Sequence, residues 1–204
     1  MTKIKTHKIF PIPVFEFKLE NSKKLNEDLL KYIYELKKKN KEGMNKSNVG
    51  GWHSPYFQIN GNKLLTDFIK QLRQCIIVAF NEFGWEYKDN AVKIDGMWSI
   101  INPKNTFNKL HNHPNCYLSA AYYVKTFENC GNIKFFDCKE QKKIRFPNIN
   151  KYTELSAAAA TFKPEEGKLL MFPSYLYHSV DNNETEEERV IISFNVDVDR
   201  YANS

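Results

Sequence analysis

From residue 92 onward the chain is written in short strand-length runs, and that pattern excludes more folds than any other feature of it. Runs at 94–101, 117–124, 132–136, 168–172 and 189–198 are rich in Ile, Val, Leu, Phe and Tyr, which suit a pleated, half-buried surface. Turn signals separate them: Asn102-Pro103, Asn129-Cys130-Gly131, Glu165-Glu166-Gly167 and Asp181-Asn182-Asn183. Many short strands punctuated in this way build an antiparallel sandwich or a double-sheet jelly roll. Segment 139–161 breaks the rhythm with Lys142, Lys143, Arg145 and four successive alanines at 157–160. It reads as a long excursion from the sheet, with the placement of a lid.

The first 91 residues read differently. Residues 8–19 alternate loosely around Pro11 and Pro13, as an edge strand does, since proline is tolerated mainly at edges. Asn21-Ser22 offers an N-cap to a helix with Leu25, Leu29, Ile33 and Leu36 on one face. That helix ends on Lys37, Lys38 and Lys39, where the dipole favours cations. A second amphipathic helix spans about 62–83, with Leu64, Leu65, Phe68, Ile69, Leu72, Ile76, Ala79, Phe80 and Phe83 recurring at helical spacing and Gly84 as its C-cap. Between them lies an irregular stretch, 43–61, that includes Ser47-Asn48-Val49-Gly50-Gly51-Trp52-His53. Trp52 there either pins the loop to the core or lines a site, and His53 is a candidate without an assigned role. The expected class is therefore mainly β with flanking helices (α+β): a jelly roll with N-terminal helices packed on its outside. One domain is expected over 1–204, with 1–91 as support and 92–200 as the core.

The longest apolar runs fall short of a membrane span, and Met1 to Pro13 lacks the apolar core of a secretory signal. A cytoplasmic protein follows as the expectation, in a host cytoplasm if the gene is a phage's. Cys75, Cys116, Cys130 and Cys138 show no CxxC pairing and read as reduced thiols. The net charge of +6 raises the question of nucleic acid, and its location answers it. Residues 1–50 hold 12 Lys and 6 acids, whereas the remaining 154 hold 18 basic and 18 acidic residues. The region carrying the chemistry is neutral, so neither a nucleic-acid groove nor a membrane surface is expected.

Three of the five histidines cluster in meaning if not in sequence: His111 and His113 one residue apart, and His178 just past the apolar run 168–172. On a strand, residues i and i+2 share a face, so His111 and His113 would chelate together and His178 would complete one face of a coordination sphere. The usual non-haem iron arrangement is two His and one carboxylate. Here either three histidines bind, or a carboxylate such as Asp137 is the third ligand and His113 stands behind it. Arg189 opens another strand; a guanidinium facing the interior needs a carboxylate partner. A bound ligand could supply it, and so could Glu184, Glu186, Glu187 or Glu188.

These stretches resemble the 2-oxoglutarate/Fe(II)-dependent oxygenases, particularly the prolyl-hydroxylase-like branch and the phage-type members. His111-Asn112-His113-Pro114-Asn115 falls on the H-x-D segment. Ser119-Ala120-Ala121-Tyr122-Tyr123-Val124 resembles the T-x-x-x-Y strand, and Cys130-Gly131-Asn132-Ile133-Lys134-Phe135-Phe136 the G-x-[LI]-x-F strand. Residues 167–174 with His178-Ser179-Val180 resemble the G-x-L-x-x-F-x-S…H-x-V block, and 189–195 the R-x-S-x-S-F-N strand. Ser47–Trp52 is similar to the S-N-x-G-G-W stretch of the phage-type subgroup. Two positions depart: His113 stands for the carboxylate, and Ile191 for the first serine after the arginine, with Ser193 on the same face as Arg189.

The resemblance implies Fe(II) on His111, His178 and a third group, with 2-oxoglutarate chelating the metal. Arg189, helped by Tyr123, would bind the far carboxylate, with Ser119, Asn102 and Ser193 as further cosubstrate contacts. It implies consumption of O2 and 2-oxoglutarate in hydroxylating a substrate, a small molecule or protein side chain, that the sequence does not identify. Two other readings stay open. One is a three-histidine dioxygenase of cupin type that does not use 2-oxoglutarate. The other is a structural zinc site on His111, His113, Cys116 and His178.

Overall fold

A computed structural model describes residues 2–88, 90–139 and 147–199. Two helices and eleven strands appear among them, in the order β1 (Phe15–Lys18), α1 (Ser22–Lys39), β2 (Asn48–Val49), β3 (Trp52–His53), α2 (Lys63–Phe83), β4 (Val92–Asn102), β5 (Phe107–His111), β6 (Leu118–Lys125), β7 (Ile133–Phe136), β8 (Ala159–Phe162), β9 (Lys168–Pro173), β10 (His178–Val180) and β11 (Arg189–Val198). The chain is mainly β with two helices. One sheet has the order β1-β9-β6-β11-β4-β3 and the other β2-β5-β10-β7-β8. Every pairing is antiparallel.

Alternation along the larger sheet separates two cores. Leu118, Ala120, Tyr122 and Val124 of β6 share a buried cluster with Val190, Ile192 and Phe194 of β11, with Leu29 and Ile33 of α1, and with Phe68, Leu72 and Phe80 of α2. The intervening residues point the other way. Tyr123, Ile191, Trp98, Ile100, Leu170 and Phe172 meet Ile133 and Phe135 of the smaller sheet in a second cluster. This is the period-2 logic of strands buried on both faces. The Tyr122 hydroxyl donates to Asn26 Oδ1 at 2.6 Å, tying α1 to β6. Asn62 accepts from Leu65 N at 3.2 Å as the N-cap of α2, and Gly84 closes that helix in the left-handed region.

Several boundaries differ from the expected ones. The N-terminal edge strand covers only Phe15–Lys18, paired to β9, because Pro11 and Pro13 lack the amide a ladder needs. Asn21 precedes α1 in a left-handed conformation and makes no side-chain cap bond. The excursion at 139–161 contains the start of a real strand, β8, pairing with β7. Its residues 140–146, with Lys142, Lys143 and Arg145, lie outside the described residues. Two short strands, β5 and β10, went unread because each carries few apolar residues; both flank the histidines. Trp52 is buried and its Nε1 donates to Asn40 O at 2.7 Å, so it pins the loop following α1.

Candidate metal and cosubstrate site

His111 closes β5 and His178 opens β10, and the two are cross-strand partners. Direct partners on adjacent antiparallel strands bring their side chains together, and the two rings stand 4.2 Å apart. His113 lies two residues beyond the end of β5. Strand alternation is therefore not what aims it; its amide donates to Ser174 O at 2.9 Å, which turns the chain back after the strand. Its ring lies 5.1 Å from His111 and 5.2 Å from His178. One nitrogen from each of the three imidazoles falls within 4.8 Å of the others.

The hydrogen bonds decide which nitrogens are available. His111 Nδ1 lies 2.7 Å from Lys109 O, and His178 Nδ1 lies 2.9 Å from Leu176 O. A carbonyl only accepts, so each Nδ1 carries the proton and each Nε2 keeps its lone pair for a metal. Burial also favours the neutral rings. It lowers His111 below its ordinary range, and with the neighbouring His111 it pushes His113 down to about 4 and His178 to about 3. Phe172 and Phe135 back the His178 ring at 4.8 and 5.9 Å, keeping that side dry.

The triad opens on a cavity of about 230 Å³ between the sheets, lined also by Trp98, Ile100, Asn108, Ile133, Val180, Ile191 and Ser193. Arg189 shares the inner face of β11 with Ile191 and Ser193 and is the largest fully buried side chain. One of its terminal nitrogens donates to Cys130 O and Gly131 O at 2.6 and 2.8 Å, while Nε and the other terminal nitrogen have no partner among the described residues. Gly131, at φ +93°, makes this possible, because a Cβ there would stand 2.6 Å from the guanidinium. Three of the four candidate glutamates are engaged elsewhere, Glu188 by Tyr34 and Lys37, Glu187 by Lys125 and Glu186 by Lys104, and Asp181, whose charge acts on Arg189, is paired with Lys134 at 2.8 Å. Burial lowers the Arg189 pKa, and the adjacent Tyr123 opposes that; burial raises the Tyr123 phenol, which the guanidinium opposes.

The remaining candidates are scattered by the same geometry. Asn102 is the cross-strand partner of Arg189; its Nδ2 donates to Thr106 Oγ1 at 3.2 Å and its Oδ1 is buried without a partner. Ser193 lies four residues along β11 from Arg189, roughly 13 Å at strand rise, and pairs with Trp98 at the triad's level of the sheet. Ser119 sits at the same far end of β6, outside the cavity lining, with its hydroxyl donated to Asn195 Oδ1 at 2.9 Å. A contact with the Arg189 end is out of its reach. Asp137 lies outside the histidine group and lines a separate groove with the N-terminal segment; its Oδ1 accepts from Lys139 N. Cys116 is also outside the group, its thiol directed to His113 O at 3.4 Å, so the four-ligand zinc arrangement is not assembled.

Residues 96–195 match the model of a family described as "Putative 2OG-Fe(II) oxygenase". Over that stretch the chain is similar to the 2OG-Fe(II) oxygenases. The fold agrees. A Pseudomonas putida prolyl-4-hydroxylase superposes with a TM-score of 0.67 at 11% identity, over 92% of this chain and 93% of that one. HygX from Streptomyces hygroscopicus, with nickel, 2-oxoglutarate and hygromycin B bound, gives 0.64 at 10% identity, over 92% and 83%. A viral collagen prolyl hydroxylase of Paramecium Bursaria Chlorella virus-1, in complex with 2OG, gives 0.58 at 11% identity, over 90% and 94%. No curated protein matches the chain. The chemistry of this oxygenase family is that of iron(II) with 2-oxoglutarate as cosubstrate. The residues fit both groups: three clustered neutral imidazoles, two of them with Nε2 left open, suit Fe(II), and a buried guanidinium with two nitrogens unpaired among the described residues suits a carboxylate.

Four further cavity residues have no role assigned from the sequence. Trp98 is packed between His53 and His113, at ring distances of 5.8 and 5.7 Å. His53 had the signal of a histidine beside paired glycines. Asn108, 2% exposed with an unpaired Oδ1, and Lys46 carried none, since each is brought in by the β2–β5 pairing.

Proposed function

We propose that this protein is a non-haem Fe(II), 2-oxoglutarate-dependent dioxygenase that hydroxylates a substrate still to be identified. His111, His113 and His178 would hold the iron, and Arg189 with Tyr123 would bind the far carboxylate of 2-oxoglutarate. Asn102 stands beside the guanidinium as a further polar contact, and Ser193 lines the cavity near the triad. The two facing sheets correspond to a double-stranded β-helix, with residues 1–91 as external support and 92–200 as the core of one domain. The observation that carries the reading is Arg189: a buried cation with two nitrogens unpaired among the described residues, which a carboxylate would satisfy.

When bound, iron and 2-oxoglutarate supply the activation of O2, with succinate and CO2 as the cosubstrate's products. The chain's own contribution is positional. Lys109 O and Leu176 O fix the tautomers of two ligands, so that their Nε2 atoms need no proton loss on binding the metal. Arg189 fixes one end of the cosubstrate by charge and fork geometry. Ile100, Ile133, Val180 and Ile191 give the cavity apolar walls that exclude water from the cosubstrate's carbon chain.

Anaerobic titration with Fe(II) and 2-oxoglutarate tests it. A weak visible charge-transfer band is expected in the wild type and a diminished one in Arg189→Ala. Absence of the band in the wild type, or full strength in the variant, overturns the assignment.

A further inference from the structure

The part of the cavity around Trp98 has its own chemistry. Trp98, 6% exposed, is held in place by His53, stacked at 5.8 Å with the planes 10° apart. Tyr56 lies 5.8 Å from the same indole but is 59% exposed. Its ring is seated on the backbone of β4 at Gly96, where a Cβ would approach ring carbons to 3.1 Å. An aromatic path thus starts at the largely buried Trp98, beside His113, and runs outward to the exposed Tyr56. Aromatic rings fixed in this way give contact area at little cost in side-chain entropy.

The charge around this surface has one sign. Among the described residues Lys46 is the only one lining the cavity with a full charge at neutral pH, and no carboxylate lines it. Its own amide donates to Asn48 Oδ1 at 2.9 Å, which fixes the turn that presents it. Among the described residues no acid pairs with its ammonium, whereas Lys37, Lys104 and Lys125 elsewhere on the surface all have carboxylate partners. The ammonium is close enough to His53 to add to the effect of burial in lowering that imidazole's pKa.

We propose that Lys46, Tyr56 and Trp98 form the primary-substrate subsite, and that it takes a small carboxylate-bearing molecule with a flat or cyclic body. The ring lies against Tyr56 and Trp98, which brings its edge beside His113, and the carboxylate meets Lys46 at the mouth. Lys46 is a specificity residue here, distinct from Arg189, which faces the cosubstrate. The inference rests on the function proposed above, because it takes the triad as the place where the substrate reacts.

Calorimetry on the whole protein, saturated with Mn(II) and 2-oxoglutarate so that no turnover occurs, tests the two layers separately. The probes are indole-3-acetate and its uncharged relative indole-3-acetamide. The acid is expected to bind at least tenfold more tightly than the amide. Lys46→Met should remove that preference while leaving 2-oxoglutarate affinity within twofold, and Tyr56→Ala should weaken both probes alike. Equal binding of acid and amide, no binding of either, or a preference that survives Lys46→Met overturns the subsite. Failure of 2-oxoglutarate itself to bind the wild-type protein overturns the function beneath it. Both substituted side chains are exposed, so misfolding is readily checked by an unchanged melting temperature.

Discussion

Replacing Arg189 by Met separates a ligand-binding arginine from a structural one. In the free protein the substitution removes two charge-assisted bonds, to Cys130 O and Gly131 O, each contributing about 1.5–3 kcal/mol. It also removes two buried nitrogens without partners, each carrying a desolvation penalty of about 1–3 kcal/mol. The two effects oppose one another at similar size, so the free variant should lie within about 2 kcal/mol of wild type, in either direction. The liganded protein behaves differently. Loss of a buried partner for a carboxylate costs about 3–5 kcal/mol, a factor of roughly 10² to several 10³ in affinity. At 2-oxoglutarate a hundredfold above its Kd, wild type gains about 2.7 kcal/mol, or roughly 5–10 °C in melting temperature for a chain of this size. Arg189→Met should show almost none of that shift. Thermal melts with Mn(II), with and without 2-oxoglutarate, measure both quantities at once. A variant that melts far below wild type without ligand, or that keeps the full shift with it, refutes the reasoning.

Three further outcomes follow from the same geometry. His113→Ala should weaken Mn(II) affinity at least tenfold, whereas Asp137→Asn should leave it unchanged; equal effects in a metal titration would restore the carboxylate as a ligand. Gly131→Ala forces a Cβ to 2.2 Å from Asp181 O and 2.6 Å from the Arg189 guanidinium at φ +93°. It should cost about 3 kcal/mol in denaturant melts and also weaken 2-oxoglutarate, and a wild-type midpoint would contradict the close packing. The metal-free protein should lose stability on mild acidification. With His178 at about 3 in the folded chain and about 6.5 unfolded, the unfolded state binds the extra proton between those values. Stability therefore falls as pH drops through that window, by about 2 kcal/mol from this residue at pH 5. A pH-independent urea midpoint between 7 and 5 would show that the ring is not held neutral.

The parts of this molecule legible in sequence are those that local chemistry dictates. α2 could be read nearly to the residue because Asn62 and Gly84 mark its ends and its apolar stripe is continuous. Arg189 could be singled out because an arginine opening an apolar strand has few affordable surroundings. β5 and β10 were not legible as strands: His178-Ser179-Val180 and Phe107–His111 have mixed composition and exist through pairing with each other and with β7. The convergence of His111 with His113 was anticipated for an incomplete reason. Alternation along a strand was the argument, yet His113 is positioned by a carbonyl 61 residues away, at Ser174. Such a bond has no local signature. Ser119 is similar: strand alternation gives its face but carries no sign of its distance from the Arg189 end or its bond to Asn195.

Under the proposed function, the departure at His113 has an electrostatic consequence that links the two ends of the cavity. Three neutral imidazoles leave the full charge of a divalent ion uncompensated, where two imidazoles and a carboxylate would cancel half of it. The 2-oxoglutarate dianion would balance the metal, but Arg189 adds one positive charge in the core further along β11 and Lys46 one at the cavity itself, which no acid lines among the described residues. In a space of low dielectric such an excess raises the affinity for a further anion. A site with an aspartate at position 113 would be less positive by one unit and correspondingly less selective for an acidic substrate. His113→Asp should therefore narrow the preference for indole-3-acetate over its amide while still binding Mn(II). An unchanged preference in that variant would mean that Lys46 alone, and not the charge of the metal centre, sets the sign of the substrate.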